Sequence, residues 1–444
     1  MQVQATYREI LRIAFPVIVG SIAMTILNVT DTAFLGRIGE TELGASAIGG
    51  ILYFVFATIG VSIGIGTQII ISRRSGEKKE NLIGEIFDQS IIILSICGIL
   101  LYLILQFLVP PALHLMIGSE KLYNATMEFL KYRSIGIFFI LLGTAFRSFY
   151  VGISRPNVFG YYSFLMAGIN IFLGYGLIFG HFGFPSMGIA GAGLASSISE
   201  FIALIYIFTY TKFKKEFFPF LLFRFKSFKK ELTNKIMLLS MPLIVQNILS
   251  MGAWLIFFLF IEKIGPHQLA ISNIVRGAYM ISMTPFWGLS LAANSMVSNI
   301  IGQERKSEVF SLLIKIIRLT FFISLIMIGI NLIFEKQILS IFTNNLVMIE
   351  DSIGTMRVVD LALLFFATAI VGISAVSGTG ATKVALYIEV VAISLYLIYN
   401  YVATFILKTS VETVWYSEVV YWMFTGIACF IYIRSGAWKK LKHI

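Results

Sequence analysis

Long apolar blocks, separated by short polar clusters, dominate the chain. A helix needs about twenty apolar residues to cross the hydrocarbon core of a bilayer, and most of the blocks reach that length. Apolar residues do not alternate with polar ones, which excludes a porin-type barrel. The pattern predicts twelve helices, near residues 10–35, 45–72, 85–110, 125–150, 157–180, 188–211, 236–261, 269–300, 309–334, 350–377, 384–407 and 414–434. Gly, Pro, Asn and charged residues collect in the gaps, as turns require. The first block contains Pro16 and runs straight into more chain, so it reads as a first span and not as a removable signal.

Composition narrows the class. The 444 residues are 58% hydrophobic and 13% charged, whereas a soluble domain carries about 25% charged residues. Mean hydropathy is +0.88. A soluble enzyme, a disordered chain and a coiled coil are excluded, which leaves an all-α integral membrane protein. Cys97 and Cys429 both lie in apolar runs and form no disulfide or metal-ligand pattern.

Lys and Arg set the expected orientation. With both termini cytoplasmic, 25 of the 34 fall in inner segments and eight in outer ones (Arg37, Lys121, Lys131, Arg133, Lys263, Lys336, Arg357 and Lys408), with Arg276 inside a span. This is the positive-inside bias, and it accounts for the net charge of +11 without a nucleic-acid partner. A bacterial cytoplasmic membrane is the expected location, with membrane lipid as a partner. The densest basic stretch, 212–235, mixes Lys and Arg with Phe. It reads as a cytoplasmic connector in preference to a lipid-surface helix.

An internal repeat organises the chain. At an offset of 226 residues, Pro16 meets Pro242, Ile38-Gly39 meets Ile264-Gly265, Gly76 meets Gly302 and Gly152 meets Gly378. Each half holds six spans, and an even number returns the chain to the same side, so the halves are parallel repeats. The expected organisation is 1–211 as an N-lobe, 212–235 as the basic linker and 236–444 as a C-lobe, two pseudo-symmetric six-helix bundles.

Motifs for soluble chemistry are missing. There is no GxxxxGK[ST], no HExxH and no GxGxxG. No enzyme activity or cofactor is expected; a transporter of this kind would draw on an ion gradient, H⁺ or Na⁺.

A charged side chain inside a span costs about 2.5–3.5 kcal/mol on insertion scales, so charged and other polar residues there mark candidate sites. Asp31 lies late in helix 1, with Asn28 one turn earlier on the same face. A carboxylate in an apolar cleft favours its neutral form and can exchange H⁺, or it can ligate Na⁺ with amide and hydroxyl oxygens. Its repeat mate is Phe257, so this charge belongs to one half only. Asn170 lies mid-span in helix 5, and Ser196 and Glu200 share a face of helix 6. Glu200 needs a partner, with Arg147 and Lys383 as candidates. Arg276 in helix 8 is expected to pair with Glu389 or Asp360, or to line a substrate cavity with Gln246, Asn273 and Glu389. Pro285 is expected to bend helix 8, and Gly60 with Gly64 forms a GxxxG packing motif in helix 2.

Several segments together resemble the multidrug and toxic compound extrusion (MATE) family. They are FPVIVGSIAMTILNVTDTAFLGRIG, GIGTQIIISRRSGEKK, GINIFLGYGLIFG and MGIAGAGLASSISE in the first half, and SMPLIVQNI, KIGPHQLAISNI, LSLAANSMVSNIIGQERK and AVSGTG in the second. The resemblance spans essentially the whole chain. It implies two six-helix lobes around a V-shaped cavity, and efflux of amphipathic, often cationic compounds coupled to entry of H⁺ or Na⁺; a chain acting as a monomer is expected. It implies that Asp31, Asn170 and Ser196 bind the coupling cation, Na⁺ or H⁺. Gly174, Ser250 and Thr368 stand where some members carry further acids. The rival expectations are a lipid-linked oligosaccharide flippase of the same broad fold and a non-transporting membrane scaffold.

Overall fold

The computed structural model of the chain describes residues 2–440. Lys442, one of the 25 inner Lys and Arg residues counted above, lies outside the described residues. No strand occurs among the described residues. Among the described residues there are twelve long helical segments: α1 (Tyr7–Ile38), α2 (Glu40–Gly76), α3 (Glu80–Met116), α4 (Glu120–Arg133 and Gly136–Gly152), α5 (Asn157–Phe179), α6 (Gly188–Phe213), α7 (Lys230–Ile264), α8 (Pro266–Gly302), α9 (Glu308–Ile333), α10 (Leu346–Gly378), α11 (Thr382–Ile406) and α12 (Val411–Ser435). A six-residue helix, Glu335–Ser340, follows α9. The connector between α6 and α7 is residues 214–229, inside the expected 212–235.

Ten of these helices are long and apolar enough to cross a membrane, and the bent α4 makes eleven. The twelfth is α8, which has 37 residues and only Arg276 as a charged group. Its many Ser and Asn residues keep its hydropathy below that of the others. Two helices differ in detail from the periodicity. α4 is one block in the sequence but bends by 45° at Ser134-Ile135. α3 passes through a wider π turn at Ile104–Leu108 and then continues to Met116. Pro110 and Pro111 fall in the first turn of that continuation, where their missing N–H groups cost nothing. Pro285 sits inside α8 with helix on both sides.

The chain forms two compact units. Among the described residues, unit 1 takes 19–241, and unit 2 takes 2–18 together with 242–440. The first turns of α1 thus belong to unit 2. There Val3 N–H donates to Asn299 Oδ1 (3.1 Å), Lys315 Nζ donates to the Ala5 carbonyl (2.6 Å), and Ala14 lies against Gly288. The first turns of α7 belong to unit 1 in the same way, with Ser240 against Gly66. Ala14 and Ser240 are themselves 226 residues apart.

The repeat extends to backbone detail. A Cβ on Gly152 would meet Ile71 and approach the Gln68 carbonyl, and one on Gly378 would fall 2.5 Å from the Asn294 carbonyl. Gln68 and Asn294 are repeat mates, so the same close crossing is built twice. Left-handed turn residues also match: Lys78 (φ 60°) with Glu304 (φ 63°), and Ser154 (φ 61°) with Gly380 (φ 95°). The GxxxG motif of α2 performs the packing expected of it. A Cβ on Gly60 would lie 2.4 Å from Leu141 Cγ and one on Gly64 2.4 Å from Thr144 Cγ2, so α2 and α4 touch backbone to side chain. Ser148 Oγ then donates to the Gly64 carbonyl at 2.7 Å.

Candidate cation site and the buried carboxylates

In unit 1, α1 packs on α5 through Ala23 and Leu27 against Ala167. One turn further along that face of α1 comes Asp31, and one or two turns along α5 come Asn170 and Gly174. A Cβ on Gly174 would lie 3.9 Å from Asp31 Oδ1, so the absent side chain leaves room for the carboxylate. Asp31 is half-buried. No hydrogen bond or ion pair reaches its carboxylate among the described residues. Its charged neighbour, at longer range, is Arg133.

Asn170 is 1% exposed, and its Nδ2 donates to Ser196 Oγ at 3.0 Å, joining α5 to α6. Its Oδ1 is buried with no partner. Leaving such an acceptor unfilled costs about 1–3 kcal/mol. Asn170 and Ser196 are thus bonded to each other, and Asp31 lies against α5 one turn further on, at Gly174. Asn28 is exposed.

Glu200 is solved differently, and both expected partners are corrected. Arg133 grips it with two bonds, Nη2 to Oε1 at 2.8 Å and Nη1 to Oε2 at 3.0 Å. Tyr53 Oη donates at 3.0 Å, and the Arg133 guanidinium lies 3.4 Å from the centre of the Tyr53 ring. Arg133 is thus no outer-loop charge but the end of the first α4 segment, turned inward at the bend. Ser197 Oγ donates to the Tyr132 carbonyl beside that bend (2.7 Å). A Cβ on Gly136 would strike Glu200 and Arg133, so only glycine fits there. Arg147 is instead half-buried beside Tyr162, with its Nε unfilled, and Lys383 is exposed.

Unit 2 replaces the trio by aromatic rings. The repeat mates of Asp31, Asn170 and Ser196 are Phe257, Tyr396 and Trp422. Phe257 is fully buried, 5.8 Å from the Tyr396 ring and 5.0 Å from Trp415. Unit 2 has its own buried acids. Glu389, 3% exposed, accepts from Ser250 Oγ (2.5 Å) and from Tyr421 Oη. Glu418 accepts from the indole N–H groups of Trp254 (3.2 Å) and Trp422 (2.9 Å). Asp360 accepts from Asn331 Nδ2 (2.6 Å).

The expected pairing of Arg276 with Glu389 or Asp360 is not formed. Arg276 lies over the Phe258 ring at 5.0 Å. The other residues expected to line a substrate cavity have separate local surroundings. Glu389 is tied to Ser250, exposed Asn273 donates to the Leu269 carbonyl of its own helix, and half-buried Gln246 leaves its Oε1 unfilled. Glu418 was missed by the sequence reading, although an acid in the run VWYSEVVYWM is a detectable break in an apolar span.

Among the described residues no three His, Cys, Asp or Glu side chains converge.

The MatE family model matches residues 16–176 and again residues 242–402, two segments at the offset of 226 seen in the sequence. The probable multidrug resistance protein NorM of Thermotoga maritima is 23% identical over 439 residues, covering 98% of this chain and 93% of the relative. The protein of the same name from Pasteurella multocida is 25% identical over 396 residues, covering 86% and 82%. Solved structures share the fold. An outward-facing multidrug resistance MATE family transporter superposes with a TM-score of 0.91 at 19% identity, covering 98% of this chain and 96% of that one. A MATE structure in a straight conformation gives 0.90 at 20%, covering 98% and 97%. The chain belongs to the MatE family.

Proposed function

We propose that this protein is a secondary active exporter of amphipathic, often cationic compounds, driven by entry of H⁺ or Na⁺ and working by alternating access in a bacterial cytoplasmic membrane. Family membership and the multidrug resistance relatives support the transport class. One observation supports the coupling site. Of the carboxylates Asp31, Glu200, Asp360, Glu389 and Glu418 within the spans, only Asp31 receives no donor among the described residues. It shares its helix contact with a buried amide oxygen, Asn170 Oδ1, that also lacks a partner. The oxygens of Asp31, Asn170 and Ser196 would hold Na⁺ directly; a proton would need Asp31 alone.

The coupling follows from linkage. A cation at Asp31 neutralises a charge in an apolar helix contact and so changes which packing of α1 on α5 is favoured. If that packing holds solute less well, cation and solute weaken each other's binding by the same factor, and they exchange. Purified protein in liposomes loaded with a fluorescent cationic dye tests the proposal. A Na⁺ gradient and a pH gradient, imposed separately, should show dye efflux with one of them. Folded protein that moves no dye under either gradient would overturn it.

A further inference from the structure

The connector 214–229 is the most basic segment of the chain, and unit 1 holds it in a fixed shape. Its first part is a tight 3₁₀ turn, Lys215–Phe220. Beyond it, Leu221, Phe223 and Phe225 all adopt left-handed backbone angles, φ 56°, 60° and 44°. Such angles are rare for bulky residues. Here they turn three successive N–H groups, of Phe223, Arg224 and Phe225, onto the carboxylate of Asp88 at 2.8, 2.9 and 2.9 Å. A run of N–H groups gathered this way is an anion-binding nest, and α3 fills it. Gln89 adds a bond to the Ser227 carbonyl (2.8 Å) and accepts from Lys229 N–H (3.3 Å). Gly84 lets the Phe220 and Leu221 carbonyls lie directly on α3.

This pinning divides the aromatic residues. Phe217 and Phe220 are buried against Phe149, and Phe223 packs on Phe87 and Phe208. Phe213, Phe218, Phe225 and Phe228 are held outward, 71%, 57%, 48% and 59% exposed. Around them stand Lys212, Lys214, Lys215, Arg224, Lys226 and Lys230, all exposed. None of the six makes an ion pair among the described residues. Asp88 and Gln89 immediately precede the apolar run of α3 that starts at Ser90-Ile91. The connector is therefore anchored at the level where the apolar part of the span begins.

Exposed rings set among unpaired cations, at the edge of an apolar belt, are the chemistry of the lipid headgroup region. We propose that the connector is a docking surface for anionic phospholipid. Lys212, Lys214, Lys215, Arg224 and Lys226 take headgroup phosphates, and the four outward Phe rings enter the boundary between headgroups and acyl chains. Asp88 and Gln89 of α3 hold the surface in register.

The test uses the full-length protein in nanodiscs of phosphatidylcholine, with or without phosphatidylglycerol. Retained lipids are counted by native mass spectrometry after extraction. The wild type should retain phosphatidylglycerol over phosphatidylcholine. Replacing Lys212, Lys214, Lys215, Arg224 and Lys226 by Gln should cut that preference at least about tenfold, and raised salt should weaken it. A polarity-sensitive fluorophore on Phe228→Cys, read against the labelled unsubstituted protein, should shift to the blue when phosphatidylglycerol is present. Equal retention of both lipids, an unchanged preference in the five-Gln variant, or a probe that reads water in both bilayers each overturns the proposal. The last result would leave the face to water or to a protein partner.

Discussion

The two units repeat one fold but treat buried charge in opposite ways. Unit 1 pairs the buried acid Glu200 with Arg133 through two bonds, and leaves Asp31 and the Asn170 amide oxygen unfilled. Unit 2 puts Phe257, Tyr396 and Trp422 at the positions of Asp31, Asn170 and Ser196. It surrounds its own acids with neutral donors: Ser250 and Tyr421 for Glu389, Trp254 and Trp422 for Glu418, Asn331 for Asp360. Helix packing can be copied from one half to the other while the polar chemistry cannot, because a packing glycine needs only space whereas a buried charge needs a specific partner. The repeat therefore survives in Gly152 and Gly378, and is lost at Asp31.

Substitutions can break the contrast, beginning with the largest effect. Arg133→Ala strands Glu200 in an apolar surround and should cost about 3–5 kcal/mol, read as a lower unfolding midpoint when detergent-solubilised protein is titrated with SDS. A replacement of Glu200 and Arg133 together should cost less than Arg133→Ala alone, since no charge is then left unpaired. Gly64→Ala places a Cβ 2.4 Å from Thr144 Cγ2 and should cost about 1–3 kcal/mol by overpacking, in the same titration. Smallest is Glu389→Gln. The amide oxygen can still accept from Ser250 and Tyr421, and no cation is stranded, so the change should stay under about 1 kcal/mol. If Glu389→Gln destabilised as strongly as Arg133→Ala, the proposed difference between the units would fail.

The helices, the offset of 226 and the GxxxG contact were legible because each leaves a local pattern: an apolar run, a turn glycine, a pair of small residues. Asp31, Asn170 and Ser196 are singled out by the family resemblance and by their polarity inside apolar spans. The partner of Glu200 was not. Arg133 precedes a bend that periodicity does not show, and along the sequence it counts as one more loop charge. The partners of Glu418 were hidden for a related reason: they are indole N–H groups on Trp254 and Trp422, residues that read as apolar. Arg276 was read as half of an ion pair, yet its contact is the ring of Phe258, which carries no signal of opposite charge.

The central claim is that coupling resides in unit 1, at Asp31. Its most direct test measures gradient-driven dye efflux for wild type, Asp31→Asn and Glu389→Gln in the same liposomes, each shown to be folded. Asp31→Asn should abolish coupled efflux at every pH tested, and Glu389→Gln should retain it. Efflux unchanged in Asp31→Asn, or lost only in Glu389→Gln, would contradict it.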